Sequence, residues 1–134
     1  MARFGPDDAL EFLEYIYKSK CQCDSFNETL DMLKEESTAE IIGDNEVLKK
    51  LAETTERRKA CYQAAFEKGF EALREIEDPD ERNILLCYFE GLKHSEAMKT
   101  LNMPKSTYWF KHNKAVKHYK VPRFDEELPD KPVF

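Results

Sequence analysis

Glycine is scarce in this 134-residue chain, with 4 residues, and proline supplies only 6. So few turn formers exclude a low-complexity or loop-dominated chain. Alternating apolar and polar segments of the kind that build β-strands are missing as well, so the expected fold is all-α. No stretch approaches the roughly 20 apolar residues of a membrane-spanning helix, and no membrane partner is expected. Met1 to Asp8 lack the apolar core of a secretory signal, so the expected location is the cytoplasm, where thiols stay reduced. Cysteine is sparse too. On a helix, Cys21 and Cys23 diverge by about 200°, and no histidine lies near them in sequence, so neither a disulfide nor a zinc site is expected. A glycine-rich phosphate loop, an HExxH pair and a Ser/His/Asp order are all lacking. No cofactor, no metal and no enzymatic activity are expected.

Charge is abundant and unevenly spread. The net charge is −6, which taken alone argues against nucleic acid. Residues 1–78 hold 11 Lys+Arg against 19 Asp+Glu, whereas residues 79–123 hold 9 against 4 and residues 124–134 hold 1 against 4. Within 93–123 there are 8 basic residues against the single acid Glu96. A cationic block in an acidic protein points to a local anionic partner, or to a solvated basic helix face.

Pro6, Asp7 and Asp8 suit a helix start, with the proline in the first turn and acids at the positive dipole end. Leu10, Leu13, Ile16, Tyr17, Cys23, Phe26, Leu30 and Leu33 recur at spacings that predict a helix over about 7–35. Ser37 with Glu40 forms a possible capping pair, and Gly43 marks a stop. A second stripe, from Val47, Leu48 and Leu51 through Tyr62, Ala65, Phe66, Phe70, Leu73 and Ile76, predicts a helix over about 45–77. Two long amphipathic helices with a short connector predict an antiparallel hairpin. Gly69 interrupts the second stripe, which a close helix–helix contact would explain. Two helices make a thin core, and the third layer must come from the C-terminal residues or from another subunit. The expectation is a homodimer paired through this hairpin.

Asp78-Pro79-Asp80-Glu81 is the clearest boundary. Asp78 is a helix N-cap, Pro79 suits the first helical position, and Glu81 stands where a capping-box acid reaches back. The helix that follows turns Ile84, Leu85, Tyr88 and Phe89 inward and ends near Gly91. A short helix around Ser95–Leu101 buries Ala97 and Leu101, Asn102 tolerates a left-handed corner, Met103 fills it, and Pro104 opens a last helix over about 105–119. That helix buries Tyr108, Ala115 and Tyr119. The predicted organisation is therefore a hairpin over 1–77, a three-helix helix-turn-helix unit over 78–121 and an acidic tail over 122–134. A helix-turn-helix sets the start of its second helix against base edges in the major groove. Lys105 and Ser106 occupy that start, with Trp109, Lys111 and Asn113 a turn further on. Lys99, Lys105, Lys111, Lys114 and Lys117 suit phosphates, and Ser106, Trp109 and Asn113 lie nearest the bases. His112 and His118 read as solvent-facing, and Trp109 or Phe110 as core.

The stretch from Asp78 to Lys120 resembles region four of bacterial sigma factors, and more closely the phage and prophage transcriptional regulators of the ArpU and RinA type. The residues that carry the resemblance are Glu81-Arg82-Asn83-Ile84-Leu85 with Tyr88 and Gly91. Ala97, Leu101, Asn102 and Met103 continue it at the corner, followed by Ser106-Thr107-Tyr108 and Lys114-Ala115-Val116. It implies a sequence-specific regulator of transcription that binds double-stranded DNA near RNA polymerase. It also implies base-facing roles for Lys105, Ser106, Trp109 and Phe110. Two of these four are aromatic where the pattern carries polar or charged residues, which points to thymine-methyl and sugar contacts or to a protein surface. The alternative expectation is a helical phage protein that modulates a host protein such as RNA polymerase or a nuclease.

Overall fold

The computed structural model describes residues 3–35, 40–41, 43, 45–124 and 128–132. The fold is all-α, with five helices among the described residues: α1 (Ala9–Leu33), α2 (Asn45–Leu73), α3 (Pro79–Phe89), α4 (His94–Leu101) and α5 (Lys105–His118). None of them is long and apolar enough to cross a membrane.

α1 and α2 pack side by side with a register set by their small and aromatic residues. Gly69 is the point of closest approach, where an added Cβ would stand 3.1 Å from the Ile16 side chain and 3.3 Å from Phe12. Phe26 meets Tyr62 at a ring separation of 6.2 Å, and the Cys23 thiol faces the Lys59 carbonyl at 3.7 Å. These pairings put Val47 and Leu51 level with the end of α1. The first half of the second stripe therefore stays open to solvent, with Val47 at 41% and Leu51 at 44% exposure. Two details at the two ends of the hairpin depart from expectation. Pro6 lies in a turn before α1, where the Asp8 carboxylate accepts from the Gly5 N–H at 2.7 Å and makes no cap bond to the helix. α2 ends at Leu73, short of Ile76, which is buried beyond it in the connection to α3. Ser37 of the possible capping pair lies outside the described residues.

The third layer comes from the same chain. Phe12, Leu13 and Ile16 of α1 share one apolar core with Ala65 and Leu73 of α2, Leu85 and Phe89 of α3, and Ala115 and Tyr119 at the end of α5. Burying the hairpin's core thus needs no second subunit. Residues past α5 complete the core as a strap. Val121, Phe124 and Leu128 pack on it, the Tyr15 hydroxyl donates to the Pro129 carbonyl at 2.8 Å, and the Tyr62 hydroxyl donates to the Asp130 carbonyl at 2.9 Å. Lys131 pairs with Glu14 at 2.9 Å and draws the Glu14 carboxyl below its ordinary pKa by hydrogen bonding.

α3 starts as its sequence predicts, with the Asp78 carboxylate accepting from the Asp80 N–H at 2.9 Å and Pro79 in the first turn. α3 and α4 end in the same way. The Leu92 N–H donates to Cys87 and the Gly91 N–H to Tyr88; the Met103 N–H donates to Met98 and the Asn102 N–H to Lys99. Both sets are Schellman closures, which require a left-handed residue at the corner. Gly91 supplies it at φ +71°, and Asn102 at φ 53°. The second closure turns the chain from α4 into α5. A small second core of Ile84, Cys87, Ala97 and Tyr108, lined by Leu101, Met103 and Trp109, holds α3, α4 and α5 together.

Candidate functional site

α5 has two opposed stripes. Tyr108, His112, Ala115 and Tyr119 recur at four, three and four residues and are buried. Ser106, Phe110, Asn113 and Lys117 recur at the same spacing two residues earlier, which is about 160° around the helix, and all four are exposed. One stripe anchors the helix and the other is free to meet a partner.

Of the lysines expected to contact phosphates, Lys99, Lys105, Lys114 and Lys117 are exposed, and none is paired with a carboxylate among the described residues. The Lys114 ammonium stands 4.5 Å from the centroid of the Phe110 ring. Lys111 differs. It lies on the flank facing α3 and forms an ion pair with Asp80, whose hydrogen bond raises the ammonium's pKa. Its ammonium is therefore turned toward α3 rather than toward the free stripe. Trp109 leaves the base-facing set. It is half-buried on the second core with its ring 4.7 Å from His94, while its neighbour Phe110 is 61% exposed. Adjacent aromatics on a helix point about 100° apart, so one packs and the other does not.

His112 is buried rather than solvent-facing, at 5% exposure. Its Nε2 lies 2.6 Å from the Tyr88 hydroxyl, and its Nδ1 lies 3.4 Å from Asn113 Oδ1. With the carboxamide oxygen as acceptor, the proton sits on Nδ1 and the Tyr88 hydroxyl donates to Nε2. The chain of bonds therefore runs from α3 through the core to an exposed side chain of α5. His94 joins the same cluster, its Nδ1 2.8 Å from the Tyr108 hydroxyl and its ring 5.3 Å from His112. Burial holds the His112 imidazole below its ordinary pKa, and pushes the Tyr108 phenol up to about 12. His118 is exposed as expected, yet its Nδ1 lies 2.6 Å from Glu81 Oε1. Glu81, at 4% exposure, is one of the few buried charged residues. Its carboxylate ties α3 to the end of α5 instead of closing a capping box.

The sequence reading missed Glu81 and His112 as elements that position α5. For His112 the signal existed, since residue 112 falls on the stripe 108–112–115–119. For Glu81 the capping-box position pointed elsewhere. Among the described residues no group of three His, Cys, Asp or Glu side chains is arranged to hold a metal ion. No protein-family model, no curated protein and no solved structure matches the chain.

Proposed function

We propose that the protein is a DNA-binding regulator of transcription whose α5 enters the major groove of a duplex, as the sequence resemblance to sigma region four and the ArpU and RinA-type regulators implies. The observation that carries the reading is the free stripe of α5 with its unpaired lysines. A helix clamped by Tyr108, His112, Ala115 and Tyr119 presents Ser106, Phe110, Asn113 and Lys117 outward, next to Lys105 and Lys114. The left-handed Asn102 corner between α4 and α5 supports it. Lys99, Lys105, Lys114 and Lys117 supply salt-dependent affinity for phosphates, and Ser106, Phe110 and Asn113 face the bases.

A mobility-shift titration on random-sequence duplex tests this. Lys105→Glu combined with Lys114→Glu abolishes the shift, whereas removing both partners of the ion pair, Lys111→Ala with Asp80→Ala, leaves it within about twofold, because the pair carries no net charge. An unchanged shift in the first double variant contradicts the reading.

A second reading, a phage protein that docks on a host protein, draws support from a different place. Between the end of α2 and α3 lies an open groove of about 240 Å³, with Phe70, Leu73 and Leu86 as its apolar wall and Arg74 and Arg82 beside them. Such a groove suits an acidic, partly apolar protein segment.

A further inference from the structure

Beyond Pro79, Phe110 is the only exposed large apolar side chain among the described residues. At 61% exposure the Phe110 ring joins neither core, and its contact is with the Lys114 ammonium one turn along the helix. Its surroundings are not those of a protein-docking patch, which would continue the apolar surface. On the free stripe its neighbours are the hydroxyl of Ser106, the carboxamide of Asn113 and the ammonium of Lys117. The Lys114 ammonium, 4.5 Å from its centroid, sets a cation beside the ring. The matching partner offers a small, isolated apolar group amid anions and hydrogen-bonding edges. In the major groove that group is the C5-methyl of thymine, which neither cytosine nor a purine carries.

We infer that Phe110 is the residue that selects thymine: its ring packs on a thymine C5-methyl group in the major groove, and the face it centres prefers A·T over G·C pairs at that position. This rests on the duplex-binding reading above and specifies what that surface reads. Asn113, one turn along, carries the side chain whose carboxamide matches the N6 and N7 edge of adenine.

The test separates the two layers of the argument. Duplexes are selected from a random-sequence pool with the full chain, and each thymine of the winning sequence is replaced in turn by deoxyuridine, which removes the methyl and leaves every hydrogen-bonding group. Wild-type protein loses about fourfold in affinity at the contacted thymine, the value of one buried methyl. Phe110→Ala, whose fold is checked by circular dichroism, binds the thymine and deoxyuridine duplexes equally. A wild-type protein indifferent to every replacement, or a Phe110→Ala variant that keeps the same discrimination, overturns the inference while leaving duplex binding intact. Failure of the wild-type protein to retain any duplex overturns both.

Discussion

The two cores of this molecule satisfy their buried polar groups by different chemistry. In the large core, three tyrosines act as staples to backbone carbonyls: Tyr15 to Pro129, Tyr62 to Asp130, and Tyr119 to Gly69. Each phenol is a donor whose pKa burial has raised, so nothing in these bonds changes near neutrality. Under α5, at the seam between the cores, phenols meet imidazoles instead: Tyr88, which also packs on the large core, with His112, and Tyr108 of the small core with His94. Bonds to a histidine ring depend on its protonation, and the ring is the side chain that titrates closest to neutral pH. The phenol staples are therefore unchanged near neutrality, whereas the bond between Tyr88 and His112 depends on the state of the ring.

Removing one hydroxyl from each set compares them directly. Tyr88→Phe leaves the buried Nε2 of His112 without a partner and costs about 2 kcal/mol, read as a lowered midpoint in urea. Gly91→Ala strikes the joint between the cores. It forces a left-handed alanine, and its Cβ falls on the ring of Tyr17, so Tyr17 must swing away. The expected cost is about 1–2 kcal/mol, measured in the same way. Tyr119→Phe costs about 1 kcal/mol, because the Gly69 carbonyl that loses the phenol lies inside α2 and keeps its place in the helical ladder. A Tyr119→Phe effect larger than that of Tyr88→Phe would break the contrast.

The smallest effect is the most specific. His112 has its pKa lowered by burial, so the neutral ring is the folded form. The groups facing it are Tyr88, His94, Tyr108, Trp109 and Asn113. Above its ordinary pKa near 6.5 its contribution to stability is fully present. Below that value the unfolded chain takes up the proton first, and stability is lost as pH falls. Melting followed through Trp109, the only tryptophan, reports this cluster, since its ring packs on both His94 and His112. Between about pH 7.5 and about pH 5.5 the midpoint of the wild-type protein falls. His112→Gln starts lower and falls less over the same interval. Equal pH dependence in the two proteins would assign the effect to other groups.

Local signals made much of this legible in the sequence. The Asp78-Pro79 start of α3, the Asn102 corner and the burial of Tyr108, Ala115 and Tyr119 follow from capping chemistry and helical spacing, which act over a few residues. The sequence reading left Trp109 and Phe110 undivided, although only the latter lies across the helix from Tyr108. What the sequence hid depends on partners far along the chain. Tyr88 and His112 are 24 residues apart, and Glu81 and His118 are 37 apart. A carboxylate at the capping-box position gives no local sign that it will be buried against a histidine. The strap was hidden by composition: residues 122–134 read as an acidic tail, yet Phe124 and Leu128 pack on the core while backbone carbonyls of Pro129 and Asp130 receive the tyrosines. The open first half of α2 was hidden because an apolar stripe does not reveal where its partner helix ends.

The decisive measurement is retention of genomic duplex fragments on the purified full chain at two salt concentrations. If Lys99, Lys105, Lys114 and Lys117 each release counterions from phosphates, a specific fragment set is retained at about 50 mM salt, and its affinity falls about 100-fold by about 200 mM. Absence of any retained fragment at the lower concentration, or an affinity that does not change between the two, would contradict the assignment of α5 to a DNA groove.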